Sequence, residues 1–228
     1  MNPKAVWISF LLAFTALLPL INPIGSALIF LGLVGDEPAE TYRRLAGKIA
    51  VSTIAFLIVI EFLGSLILSF FGISLPVVQL TGGIIIAATA WTLLFENDAG
   101  ESTRKKNEEI GTSGTRDCAL EAKIFYPFTF PITAGPGTLV VMLTLSARVS
   151  NRGLTQTAEG HLGIVLAALV LSTSVYFCYG WAPKLIKAVS ASTVHGILRV
   201  VAFILMCIGV QIAWNGVAML GAGMMNHK

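Results

Sequence analysis

Charge is scarce in this sequence. Only 12% of its 228 residues are Asp, Glu, Lys or Arg, against about a quarter in a soluble domain, and none falls between Ala5 and Val34. That scarcity excludes an ordinary water-facing surface. Histidine and cysteine are also few. His161, His195 and His227 stand far apart, with no H-E-x-x-H or G-x-S-x-G pattern nearby, so neither an enzyme nor a metal or other cofactor is expected. Cys118, Cys178 and Cys207 have no spacing that suggests a disulfide framework. The net charge of +3 is spread over many short segments, which gives no basic face for a nucleic acid.

What fills the chain instead is apolar sequence. The hydrophobic share is 55% and the mean hydropathy is +0.82. Six nearly uncharged stretches can be marked out: 5–34, 49–71, 72–95, 124–147, 162–183 and 200–226. Each reaches the roughly 20 residues that span a bilayer as helix. Barrel strands need only about 10 alternating residues, and lipid leaves backbone polar groups no partner but each other, so these stretches are expected to be helices. The fold expected is an all-α membrane protein of six transmembrane helices. The first stretch exceeds a signal-peptide core of about 7–15 residues and is expected to persist in the mature protein.

Lysine and arginine set the expected orientation. Lys4, Arg148, Arg152 and Lys228 fall on one side. Arg43, Arg44, Lys48, Arg104, Lys105, Lys106, Arg116, Lys123, Lys184, Lys187 and Arg199 fall on the other. The richer side is cytoplasmic by the positive-inside rule, which puts both termini outside a cell membrane that the chain crosses several times. Residues 97–122 mix both charge signs with Gly, Ser and Thr and read as a cytoplasmic linker. It separates a first three-helix unit, residues 1–96, from a second, residues 123–228. Three is odd, so two halves of one fold must lie inverted in the membrane.

Each half carries a helix break in its first stretch. "PLINPIGSAL" begins at Pro19 and "PITAGPGTLV" at Pro131, and the Pro19/Gly25 and Pro131/Gly137 pairs share one offset. Asn is a preferred N-cap and Pro a favoured first helical residue, so Asn22-Pro23 reads as a helix start, as does Gly135-Pro136 with a weaker cap. Discontinuous first and fourth helices follow, in a 3+3 inverted repeat of the kind transporters use. The N–H groups of Ile24, Gly25 and Ser26, and of Gly137 and Thr138, are expected to lack helical partners near mid-membrane. Two helix N-termini facing one cavity favour an anionic group such as a carboxylate. A single proline kink in a membrane helix is more often structural; the paired breaks favour a site.

Other residues are weaker candidates. Glu61 is the only carboxylate deep in a stretch, a candidate for proton or cation coupling, with a protonated interhelical hydrogen bond as the equal alternative. Thr81, Gly82 and Gly83 either line a cavity or let helices pack closely. Gln211 and Asn215 share a helical face and read as interhelical hydrogen-bonding groups. Arg199 is expected to snorkel and Trp7, Trp181 and Trp214 to anchor or fill.

Asn22-Pro23-Ile24-Gly25, Gly135-Pro136-Gly137, Thr81-Gly82-Gly83 and the segment RVVAFILMCIGVQIAWNGV, with Val210-Gln211 and Asn215-Gly216, together resemble the MarC family of six-span inner-membrane proteins. The resemblance covers nearly the whole chain. Two departures are Ala202, where the family often has glycine, and the lack of an arginine before the Gly-Gly pair, with Gln79 nearby. The resemblance implies a transporter of small neutral amino acids of the glycine and alanine class. The substrate carboxylate would meet the helix starts at Asn22, Pro23, Ile24, Gly25, Ser26, Gly135, Pro136, Gly137 and Thr138. Its amine would meet carbonyls freed around Leu18–Ile21 and at Thr133 and Ala134. The expected function is secondary transport by alternating access, with coupling to protons or sodium left open. The rivals are an aquaporin-like channel for small solutes and a non-transporting membrane scaffold. Direction and oligomeric state are not fixed by sequence.

Overall fold

In the computed structural model, which describes residues 2–95, 120–150, 154–184 and 191–225, the regular elements are helices, and no strand occurs among the described residues. In chain order they are α1 (Pro3–Ile21), α2 (Pro23–Val34), α3 (Ala39–Phe70), α4 (Leu75–Phe95), α5 (Ile124–Thr133), α6 (Pro136–Ser150), α7 (Leu154–Gly180) and α8 (Ala191–Met225). Five helical runs are long and apolar enough to cross a bilayer: Pro3–Val34, Ala39–Phe70, Leu75–Phe95, Gln156–Gly180 and Arg199–Ala222. The pair α5 and α6, bent by 70° at its break, makes a sixth if counted as one span. The expected linker lies outside the described residues from 97 to 119, as do Arg104, Lys105, Lys106, Arg116, Arg152, Lys187 and Lys228.

The apolar stretches and the helices coincide, but α3 and α7 start well before Ile49 and Leu162. Only the part of a helix in hydrocarbon has to be apolar; its polar ends continue into the interface. In α3 the early turns are fixed there by Tyr42, whose hydroxyl donates to Gly35 O at 2.6 Å, and by Arg43, whose guanidinium lies 5.4 Å from the Trp181 ring.

Two packing units can be distinguished. The core is formed by α1, α2, α3, α5, α6 and α7, centred on an aromatic cluster. Phe30 stacks on Tyr179 at 4.5 Å and meets Phe128 and Tyr42 edge-on. Helices α4 and α8 pack chiefly on one another. Their backbones touch at Gly83, Gly209 and Gly216. A Cβ on Gly209 would meet Ala87 N at 2.6 Å, and one on Gly216 would meet Pro76 O at 2.6 Å. Small residues permit this close approach, and dispersion and carbonyl contacts then hold a membrane pair that gains nothing from hydrophobic burial. Outside this, Phe70, Trp91, Phe203 and Trp214 stand exposed, as lipid-facing side chains do.

The ends of the bundle can be told apart by their polar contacts. At one end Glu121 takes Lys48 Nζ at 2.7 Å and Arg44 Nε at 3.7 Å. At the other, the Asn2 N–H bonds the Glu159 carboxylate, Ser146 donates to Glu61 O at 2.7 Å and Thr157 to Val149 O at 3.2 Å. The start of α5 and the finish of α6 thus lie at opposite ends of the bundle.

Candidate functional site

The first break is built by one residue doing two jobs. Asn22 adopts a left-handed conformation (φ 42°, ψ 67°), which asparagine tolerates better than most side chains. Its N–H donates to Leu18 O at 2.9 Å and closes α1, while its Oδ1 accepts from Gly25 N at 3.2 Å and opens α2. Ser26 N donates to Asn22 O at 2.9 Å. The Ser26 hydroxyl, buried, lies 2.8 Å from Asn22 O and 3.1 Å from Ile21 O. The expectation of free groups is therefore corrected at Gly25 and Ser26 and at the α1 carbonyls, while the Ile24 N–H has no backbone partner among the described residues. Gly25 and Ser26 N–H are both bonded, and the carbonyls of Leu18 and Ile21 have partners. The chain passes the break as a single 32-residue run, Pro3–Val34, with Ile24 exposed.

The second break is different. Tyr126 and Phe130 leave helical geometry for extended backbone, as residues before proline do. Pro127 and Pro131 lack N–H groups, so α5 closes through wider i→i−5 bonds, Phe128 N to Lys123 O at 3.2 Å and Ala134 N to Thr129 O at 2.8 Å. Threonine hydroxyls take further carbonyls: Thr129 donates to Ile124 O at 2.8 Å and Thr133 to Phe128 O at 2.7 Å. Beyond Gly135 the chain turns by 70° into α6. The first N–H of α6 with a backbone partner is Leu139, on Gly135 O at 3.3 Å; among the described residues Gly137 and Thr138 N–H have none. The Thr138 hydroxyl, 1% exposed, has no partner either.

The breaks are neighbours. A Cβ on Gly137 would meet Ile86 Cγ1 at 2.6 Å and Leu20 Cδ2 at 3.0 Å, so this glycine lets the α6 start approach α4 and the end of α1. Tyr179 of α7 stands between them. Thr133 has spent its hydroxyl hydrogen on Phe128 O, so Tyr179 donates to Thr133 Oγ1 at 2.7 Å, and its ring stacks on Phe30 of α2. Pro23, Gly25, Ser26, Thr133, Gly137 and Thr138 are buried, with Asn22, Gly135 and Pro136 half-buried. The site is a closed polar seam inside an apolar core.

The remaining candidates lie elsewhere. Glu61 is 1% exposed and its Oε1 is 2.6 Å from His161 Nδ1 of α7, with Oε2 unpartnered. Its α6 neighbour is Ser146, ten residues past Pro136, which at 1.5 Å per residue is about 15 Å from the break. Glu61 therefore does not line the seam; it joins α3 to α7 near one end. Thr81 is exposed and bonded to Val77 O of its own helix. Gly82 faces Val140 of α6 and Gly83 faces Gly209 and Ala213 of α8, so both serve packing. Gln211 donates to Asn215 Oδ1 at 3.0 Å within α8, an intrahelical bond in place of the expected interhelical one.

Sequence reasoning passed over two residues. His161 falls just before the apolar stretch that begins at Leu162, where Thr157, Glu159 and His161 itself dilute the pattern, yet α7 already runs through it. Tyr179 is one of two tyrosines in an apolar helix, and the available signal was its hydroxyl, which a buried tyrosine must bond.

Comparison with known proteins agrees with this architecture. The family described as MarC family integral membrane protein matches residues 7–220. The inner membrane protein MarC of Salmonella paratyphi A is 30% identical over 209 residues, covering 90% of this chain and 92% of that protein. The protein of the same name from Citrobacter koseri is 30% identical over 212 residues and that from Escherichia coli O1:K1 28% over 213, with the same coverage. No solved structure matches.

Proposed function

As a member of the MarC family of integral membrane proteins, to which this chain belongs, the protein is, we propose, a secondary transporter of small neutral amino acids of the glycine and alanine class across the inner membrane. The observation that carries the reading is the second break. Gly137 and Thr138 N–H and the buried Thr138 hydroxyl are donors without partners at the start of a 15-residue helix, beside the Asn22 turn. A helix N-terminus carries about half a positive charge, and buried unbonded donors cost several kcal/mol in an apolar surrounding, so a carboxylate is the group that relieves them. Gly137 is packed against Ile86 and Leu20, so admitting even a small substrate requires α6 to move from α4 and the end of α1. Thr133 and Tyr179 fix the neighbouring α5 and α7.

The 3+3 inverted repeat is part of the same reading. In it α1 and α2 correspond to α5 and α6, α3 to α7, and α4 to α8. Some contacts are consistent with that exchange, since α3 packs on α5 and α6 as α7 packs on α1 and α2; others are not, since α4 packs on α6 without a comparable contact of α8 on α2. Alternating access then consists of the two units moving about the seam, with both termini outside. Coupling to a proton or to sodium is assigned to Glu61 and His161, at the end away from the breaks. The assay is uptake of labelled glycine into proteoliposomes with and without ion gradients. Saturable, protein-dependent uptake that is lost in Thr138→Val supports the reading, and the absence of uptake under every gradient removes it. Water permeability measured by stopped flow on the same vesicles separates it from a channel.

A further inference from the structure

A cavity of about 400 Å³ lies apart from the breaks, between the first turn of α4, the last two turns of α6 and the later part of α8. Leu75 and Met219 are among its apolar walls, and its polar groups are Gln79, Thr144, Arg148 and Asn215. This is the end of the bundle where Ser146 meets Glu61. It follows the boundary between the α4 and α8 pair and the larger unit.

The hydrogen bonds fix what each polar group can still offer. Thr144 gives its hydroxyl hydrogen to Val140 O at 2.8 Å, so it can only accept from Gln79, whose Nε2 lies 3.3 Å away. That orients the Gln79 amide and leaves Oε1, on a side chain 5% exposed, as an acceptor without a partner. In the same way Gln211 donates to Asn215 Oδ1, which leaves the Asn215 amide hydrogens free to donate. Arg148 makes no ion pair or hydrogen bond with the described residues, and its side chain is exposed. The cavity thus offers a guanidinium and an amide as donors, one buried carbonyl oxygen as acceptor, and an apolar wall.

We propose that this cavity is a second ligand site, for a zwitterion with an apolar side chain, such as a neutral amino acid larger than the seam admits. The carboxylate pairs with Arg148, the charge-assisted contact that planar guanidinium favours. The ammonium donates to Gln79 Oε1, and the side chain lies against Leu75 and Met219. A bound zwitterion ties α6 to the α4 and α8 pair. The inference stands on this cavity's own donors and acceptors and does not require transport at the breaks.

The test uses the full-length protein in nanodiscs of phosphatidylcholine, read by thermal unfolding. L-Leucine is expected to raise the melting temperature saturably, whereas leucinamide, which lacks the carboxylate, and isocaproate, which lacks the amine, are not. Arg148→Gln, at an exposed position where the fold tolerates change, abolishes the shift, and Gln79→Leu weakens the apparent affinity by about tenfold. Thr138→Val leaves the leucine shift intact whatever it does to glycine uptake, which separates this site from the seam. No shift with leucine, an equal shift with leucinamide, or a shift retained in Arg148→Gln overturns the proposal. So does stabilisation by nanodiscs doped with phosphatidylglycerol in the absence of any leucine effect, which would assign Arg148 to lipid phosphate.

Discussion

At the residue scale the least replaceable polar group is the Tyr179 hydroxyl. It lies in an aromatic cluster with no exposure, and its hydrogen goes to Thr133 across a gap of 46 residues in sequence. Tyr179→Phe keeps the stack on Phe30 but removes that donor. The expected cost is about 1–3 kcal/mol, the usual penalty when a buried partner is left unsatisfied, read as a lower midpoint of denaturation. A variant as stable as the parent would show that Thr133 needs no second partner. Glu61 makes a separate prediction, because Gln keeps its shape and its capacity to bond His161 but cannot exchange a proton. Glu61→Gln is expected to flatten the pH dependence of glycine uptake while leaving the fold intact by circular dichroism. Uphill uptake with an unchanged pH profile would remove Glu61 from the coupling role. Two other titratable groups at that end are accounted for: Glu159 is held by Asn2, and Arg148 faces the second cavity.

At the scale of the element, the two breaks look alike in sequence and differ in structure. Proline and glycine announce where a membrane helix stops, and both stops were legible for that reason. The angle was not, because it depends on which partners take the released carbonyls and N–H groups. Asn22 supplies them from its own turn and keeps α1 and α2 in one run, whereas Gly135 has no side chain to do so and the chain bends by 70°. Substitution separates the contributions of Asn22. Asn22→Gly keeps the left-handed turn and loses a cap, a change expected to cost only a few tenths of a kcal/mol. Asn22→Ala loses the cap, about 1 kcal/mol, and holds its Cβ in the left-handed region without the polar side chain that eases asparagine there, a strain of about 1–2 kcal/mol that the Gly variant does not carry. The Ala variant should therefore melt clearly below the Gly variant; the reverse order would deny the turn its role. The α4 and α8 pair gives a second case. Gly209→Ala places a methyl against the backbone of Ala87, and overpacking of this kind costs about 1–3 kcal/mol. Gly221, with nothing near its Cβ position, is the control expected to accept Ala without loss in the same thermal assay.

At the scale of the whole molecule, the positions of the apolar helices could be read from the scarcity of charge, since lipid imposes that pattern locally on each stretch, whereas the count of six depends on the bent pair being one span. Which helices form a unit could not, because glycines that touch a partner and glycines that touch nothing have the same one-letter code. The path of α5 and α6 is the point where architecture and function meet. A strong bend fits either a re-entrant loop, entering and leaving on one side, or a broken span. Glu121 lies by Lys48 and Arg44, while Ser146 lies by Glu61, and α3 runs from the first pair of residues to the second, so the bent pair traverses the bundle alongside α3. A protein lacking Cys178 and Cys207 keeps Cys118 as its single thiol, and Asn151→Cys in a chain also lacking Cys118 places one after α6. With a membrane-impermeant maleimide on intact cells, residue 151 is expected to label from outside and Cys118 only after the membrane is opened. Labelling of both from the same side would make α5 and α6 a re-entrant loop, undo the inverted pairing of the halves, and leave the unpaired α6 N–H groups reachable from one face alone.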